Sequence, residues 1–264
     1  MGNEVDISKI GNLLREIKSK IDSHNEFKSA YNKQLAFDFN ILNFLEINEN
    51  KFSEILAYFL DSKRSHGQAD AFLLKFLEYY KIDADELSKI KCEKVIDKKR
   101  RIDIFLKFKS GKIIAVENKI WASDQYNQLK DYAKYLEKVS KGNYLLIYLS
   151  PYGHRPSELS ISKHEIELLI KNRKLIISKY THDIFELLKM WIGVCEADNV
   201  TYFLKQFKKY VEVKFLGNST LNLNKAMKET IKQNKTEVLA IIDAYNNMQQ
   251  SNENKFDKIY LNNQ

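Results

Sequence analysis

Asp103, Glu117 and Lys119 are the residues of this chain whose types and spacing could do chemistry. They fall in RIDIFLKFKSGKIIAVENK, residues 101–119, a stretch otherwise dominated by apolar residues in two predicted strands. An unpaired carboxylate buried in a hydrophobic sheet costs several kcal/mol or takes up a proton, so two of them imply a cationic partner. Two hard oxygen ligands, completed by a backbone carbonyl and water, suit Mg²⁺ or Mn²⁺, which also bind phosphate oxygens. Such an ion offsets charge developing on phosphorus. A nearby Lys119 orients or deprotonates the nucleophile and stabilises a pentacovalent transition state. The implied reaction is phosphodiester hydrolysis. A Glu–Lys pair on a solvent-facing edge strand, common and worth little, is the competing reading, and D-x13-E-x-K alone leaves both open.

The elements that must position these groups can be tested on paper. Glu117 and Lys119, two apart in a strand, share a face, while Asn118 points to the other side. A two-residue loop, Ser110-Gly111, would pair Asp103 with Asn118 and put the carboxylates on opposite faces. A three-residue loop, Lys109-Ser110-Gly111, with Gly111 left-handed in a bulge, pairs Phe108 with Lys112 and Asp103 with Glu117. Gly111 stands where that hairpin needs its glycine, so the second register is expected. Strands are predicted near 91–97, 101–108, 112–119, 143–149 and 174–179. Helices are predicted within 4–46 and at about 51–61, 69–80, 123–140, 182–194 and 198–215, followed by an Asn- and Lys-rich amphipathic tail.

The order of Asp103, hairpin, Glu117-Asn118-Lys119 and helix resembles the PD-(D/E)XK nuclease superfamily. The helix carries Gln128-Leu-Lys-Asp-Tyr132, similar to the Q-x-x-x-Y element of some branches. ENKFSEILAYFLDSKRSHGQADAFLLKFLE (49–78) looks like the amino-terminal helices of one bacterial and phage branch, with its S-x-x-L-A-x-L-L-D and S-H-G pattern. LLIYLSPYGHRPS and LIISKYTHDIFELLKMWI resemble later elements of that branch, so the likeness covers roughly residues 45–217. It implies a restriction-endonuclease-like α/β core, a mixed sheet of about five strands flanked by helices. Residues 1–46 would then be an amino-terminal helical extension, 47–217 the nuclease-like domain and 218–264 a carboxy-terminal helical region. Arg101-Ile102 stands in place of the usual proline before the aspartate, and Phe52 where relatives often carry a polar residue.

By that resemblance Asp103, Glu117 and Lys119 take the catalytic roles, with Gln128 beside them. Asp103, Glu117 and Asn118 would hold the metal, and Glu49 or Glu54 of the first helix would add an acid. Either glutamate reads equally well as a solvated helix position. Gln128 and Tyr132, four apart, share a helix face and could both point at the site or a phosphate. Packing is the better reading of Tyr132, whereas an amide aimed at the sheet needs partners, which substrate phosphate or a ligating carboxylate would provide. His66, on a loop of turn residues, could touch nucleic acid or simply cap a turn. The other histidines show no ligand spacing, so no zinc site is expected.

A net charge of +8 and a pI near 9.1 suit an anionic partner. Lys98, Lys99, Arg100 and Arg101 cluster just before Asp103, where they could contact a phosphodiester backbone, most plausibly of DNA. The two cysteines, Cys92 and Cys195, fit a reducing cytoplasm without a disulfide framework. The polar stretch MGNEVDISKIG and the strand-sized apolar runs predict neither a signal peptide nor a membrane span. Val238, Leu239, Ile241, Ile242 and Tyr245 of the tail should pack on something: the same chain, a twin in a homodimer, or a partner in a defence system. The leading expectation is a Mg²⁺- or Mn²⁺-dependent DNA nuclease serving phage defence or DNA processing. The alternative is a catalytically silent protein that binds nucleic acid or a partner on the same fold.

Overall fold

The two strands that carry the candidate carboxylates lie inside a five-stranded sheet. In this computed structural model residues 7–217 and 223–261 are described, with side chains over 7–217 and 227–248. The elements run α1 (Ile7–Leu35), α2 (Glu49–Leu60), α3 (Ala71–Tyr79), β1 (Leu87–Val95), β2 (Arg101–Phe108), β3 (Ile113–Asn118) and α4 (Gln128–Ser140). They continue as β4 (Tyr144–Ser150), α5 (Lys163–Lys171), β5 (Leu175–Lys179), α6 (Phe185–Val194), α7 (Asp198–Val211), α8 (Leu223–Gln233) and α9 (Lys235–Leu261). A π-helical turn, Tyr180–Ile184, leads into α6, and a second, Glu212–Leu216, follows α7.

Strand order is β1-β2-β3-β4-β5. The first three strands are antiparallel, and β3-β4 and β4-β5 are parallel, joined through α4 and α5. Every residue of β3 and β4 is buried, because helices cover both faces and leave no solvated side to alternate with. Ile104, Leu106, Phe108, Ile114 and Val116 pack with Phe52, Phe59, Phe72, Trp191 and Phe207. Phe105, Ile113 and Ala115, on the opposite pleat, pack with Leu129, Tyr132 and Leu136 of α4. The restriction-endonuclease-like mixed sheet expected from the sequence is therefore present.

Local chemistry sets the ends of the elements that matter here. Asn48 caps α2 by accepting the Lys51 amide at 2.9 Å. Helix α5, which the sequence reading did not include, starts on a capping box between Ser162 and Glu165. Helix α4 begins at Gln128 rather than near 123, because the amides of Ala122 and Gln125 donate to the Glu49 and Gln128 side chains, the Asn127 amide donates to Leu159 O and the Tyr126 carbonyl accepts from Arg100. The expected helical start at residue 4 lies outside the described residues.

The hairpin takes the three-residue loop. Gly111 has φ +88°, its amide donates to Phe108 O at 3.1 Å, and Phe108 N donates to Lys112 O at 3.0 Å. Pairing then runs from Lys107↔Ile113 to Ile104↔Val116. One further step brings Asp103 opposite Glu117, where the Asp103 Oδ2 accepts the Asn118 amide at 2.6 Å and replaces a backbone partner.

The chain divides into two units, one formed by Phe39–Leu216 and the other by the flanking segments. In the first, Asn40 donates to Gln206 O at 2.8 Å and Leu42 is fully buried, which fastens the segment before α2 to α7. In the second, α1 packs against α8 and α9, with Lys20 donating to Thr230 Oγ1 at 2.7 Å. Among its described side chains, Leu239, Ile242, Tyr245 and Met248 are exposed.

A Cβ at Gly111 meets nothing within 4 Å, so only its left-handed backbone resists substitution. Gly111→Val should lower stability by about 1–2 kcal/mol, and Gly111→Asn by clearly less, since Asn tolerates that region. Thermal denaturation of both variants checks this, and equal losses would mean that the hairpin does not depend on the conformation of Gly111.

Candidate active site

The site is built at the ends of β2 and β3. Glu117 is 1 % exposed, and its Oε1 accepts both Gln128 Nε2 and Lys119 Nζ, each at 2.8 Å. Its Oε2 is buried with no hydrogen-bond partner among the described residues. Gln128 is fully used: its amide also donates to Tyr132 Oη at 3.1 Å, and its Oε1 accepts the Gln125 amide at 3.2 Å. The main-chain amide of Lys119 donates to Leu149 O at 2.7 Å, which continues the parallel ladder to the end of β3.

Electrostatics in this corner run against the carboxylates. Burial, reinforced by the Asp103 charge, raises Glu117 well above the usual carboxylate range despite Lys119. Burial and the neighbouring Glu93 carboxyl push Asp103 up to about 7, against the opposing effects of the Asn118 amide and Lys119. Burial alone would lower Lys119; Glu117, Asp103 and Glu49 overcome it and hold the ammonium above its ordinary value. Two desolvated carboxyls share one ammonium, and one buried oxygen is bare.

These residues fit a divalent cation. Mg²⁺ is commonly held by one or two carboxylates with the remaining positions filled by water, and the bare Glu117 oxygen is a hard donor left without a partner. Among the described residues no three His, Cys, Asp or Glu side chains converge closely enough to hold a metal ion by themselves. Asp103 and Glu117 would therefore be the side-chain ligands. The Asn118 side chain turns to the other face, donating to Ser53 Oγ at 3.1 Å and Glu49 O at 3.3 Å and accepting from Tyr180 Oη at 3.2 Å. Only its main chain remains on the Asp103 side.

The two helix glutamates separate clearly. Glu49 Oε1 accepts the amides of Ile120, Trp121 and Ala122 at 2.6, 2.7 and 2.9 Å, which brings it to the loop after Lys119. Glu54 pairs with Lys51 at 2.5 Å and lines a groove with Arg64 and Cys92, away from Asp103 and Glu117.

Three expected nucleic-acid contacts are corrected. His66 is 2 % exposed, with its ring bonded to Asp61 O and to the Gln68 amide and packed among Tyr58, Phe59 and Phe72, so it orders a turn. Tyr132 is 1 % exposed and donates to Arg101 O, which leaves no surface for a ligand. Arg100 is committed internally to Asp131 at 3.0 Å, Gln125 Oε1 at 2.8 Å and Tyr126 O. Lys98, Lys99 and Arg101 are exposed.

Two acids were missed by the sequence reading. Glu93 lies on β1 opposite Asp103 with φ +49°, rare for a residue with a side chain, and its charge helps to raise Asp103. The spacing of Cys92↔Ile104 and Lys94↔Ile102 locates it, but only once the β1–β2 register is known. Asp124 accepts from Tyr148 Oη at 3.1 Å and Ser157 N at 2.7 Å, and its charge reaches Glu117. No short motif marks it.

A sheet that changes from antiparallel to parallel pairing at β3 between layers of helices is a restriction-endonuclease-like α/β fold, with Asp103, Glu117 and Lys119 gathered at that strand's end. The chain belongs to the PD-(D/E)XK nuclease superfamily, a family model of which matches residues 39–261. Neither a curated protein nor a solved structure gives a match. Among the described residues no helix is long and apolar enough to cross a membrane.

The raised carboxyls carry a pH signature. Between its ordinary value of 3.8 and about 7, Asp103 binds more proton in the folded than in the unfolded chain, so stability falls as pH rises through that window. In metal-free buffer the melting temperature should drop from about pH 5 to about pH 8, and drop less in Asp103→Asn. Mg²⁺ should restore the loss above the window in the wild type alone. A flat wild-type profile would contradict this.

Proposed function

We propose that the protein is a metal-dependent nuclease that hydrolyses phosphodiester bonds, with DNA as its substrate. The observation that carries this reading is the buried Glu117, one oxygen of it unpartnered, beside the half-buried Asp103 and paired with Lys119. A bound Mg²⁺ or Mn²⁺ would supply that charge and the acidity of a coordinated water. Asp103 and Glu117 would hold it, and the exposed Lys98, Lys99 and Arg101 would meet the phosphate backbone.

The chain's own groups divide the remaining work. Lys119, held as an ammonium, offers stabilisation of negative charge at phosphorus; removing a proton would require it first to lose its own. Gln128 fixes which Glu117 oxygen is occupied and which is free. Glu49 anchors the three amides after Lys119 and so fixes where that strand end points.

Linear, circular and single-stranded DNA incubated with Mg²⁺ or Mn²⁺ provide the test. Asp103→Ala, Glu117→Ala and Lys119→Ala should each lower cleavage on the order of 10²-fold or more. Gln128→Ala, which acts through Glu117, should cost about 10–100-fold and weaken metal affinity, measured by titration calorimetry. DNA binding by the inactive variants should persist and weaken with salt. Wild type and variants that are equally inert yet bind DNA would overturn hydrolysis and leave a binding protein.

A further inference from the structure

Two large aromatic side chains are exposed on the loop that follows Lys119. Trp121 is 50 % exposed and Tyr126 is 69 % exposed, and both belong to the segment 120–127 that leaves β3 directly after Lys119. Leaving rings of this size in water forgoes a substantial hydrophobic gain. The chain's other tryptophan, Trp191, is fully buried and donates to Phe72 O at 2.8 Å, so the fold can enclose an indole elsewhere.

The backbone beneath these rings is held at both ends. Glu49 accepts the amides of Ile120, Trp121 and Ala122, and Arg100 accounts for Gln125 Oε1 and the Tyr126 carbonyl. Trp121 leans against Phe52 on the α2 side, ring centroids 6.0 Å apart, with Lys214 Nζ 5.8 Å from its own ring. Tyr126 lies on the α4 side, two residues before Gln128. Both rings thus belong to the loop that joins the strand end bearing Glu117 and Lys119 to Gln128. Arg100, the basic residue that turned away from solvent, is spent on holding this loop.

We propose that Trp121 and Tyr126 form a stacking platform for unpaired bases, so that the DNA presented to the site is single-stranded. A ring on a fixed backbone loses little freedom when a base stacks on it, and every base offers a π-face. A B-form duplex keeps its base faces inside the helix and presents only its backbone and groove edges to the loop. The exposed Lys98, Lys99 and Arg101 serve either form of DNA, since phosphate contacts carry no preference for unpaired bases. The position of the scissile phosphate in this inference rests on the nuclease reading; the binding preference does not.

The test uses the full chain in EDTA, with a labelled mixed-sequence strand of about 15 nucleotides, the matching duplex and an abasic strand of equal length, read by anisotropy. The single strand should bind most tightly. Trp121→Ala and Tyr126→Ala should each weaken it about tenfold while leaving the duplex and abasic affinities in place, and Trp121→Phe should retain most of the binding. Strand binding should also quench a component of tryptophan emission that Trp121→Phe lacks. Unchanged melting temperatures would show that the variants fold. Equal affinity for the normal and abasic strands, or parallel losses on strand and duplex, would overturn the platform. Base-dependent strand binding without Mg²⁺-dependent cleavage would sink hydrolysis and leave the platform standing. Efficient cleavage of duplex alone would do the reverse.

Discussion

A buried carboxylate with half of its hydrogen-bonding capacity unused is the constraint on which the site depends. Glu117 is enclosed by β4 on one side and α4 below, so it can neither reach water nor turn away. An unsatisfied buried acceptor costs about 1–3 kcal/mol, more when charged, and a fold retains that cost where something else repays it. Within the chain Lys119 repays only part, because it shares its single charge with Asp103. The acidity of both carboxyls is suppressed as a result, and the corner is set to gain from any small, hard cation. The proposed function and the local cost in stability have one origin.

The supporting structure keeps that arrangement from relaxing. A free loop after Lys119 could fold back and place its own amides on Glu117 Oε2. Glu49 prevents this by taking the three nearest amides, and Arg100 takes the next polar groups along the segment. Charge-assisted bonds of this kind are about twice as strong as neutral ones, which suits them to holding eight residues without regular structure. The same bonds explain why α4 starts at Gln128: the potential first turn has already been claimed.

What the sequence revealed and what it hid follow from how local each signal is. The register of β2 and β3 was legible because Gly111 fixes the loop length and the period of two then fixes the faces. Both strands were placed closely for the same reason. That Gln128 needs a polar partner was readable from an amide directed at the sheet, but only the fold selects Glu117 over a phosphate. His66 was ambiguous, since a loop histidine looks the same whether it meets solvent or, as here, three aromatic rings. Arg100 belonged to a basic run that reads as one surface, and only the tertiary fold turns it towards Asp131 while its neighbours stay out. Glu93 was invisible, because nothing in LSKIKCEKV shows that its single acid will adopt a left-handed backbone opposite Asp103. Helix α5 was an avoidable omission: Ser162 and Glu165 spell a capping box.

The tripeptide Glu117-Asn118-Lys119 joins these levels. Alternation along β3 sends Glu117 to α4 and Asn118 to α2 and the π-helical turn, so adjacent side chains tie opposite layers to one strand end. Asn118 is 2 % exposed and bonded to Ser53, Glu49 O and Tyr180, and Glu49 in turn holds the loop that follows Lys119. A change in packing at Phe52 or Tyr180, whose rings are 5.2 Å apart, would reach the carboxylates through Asn118 and Glu49 without touching them. Phe52, the α2 member of that pair, is fully buried. In this chain the helix contributes a ring to the core at that position and meets the site through Glu49, one turn earlier on the same helix.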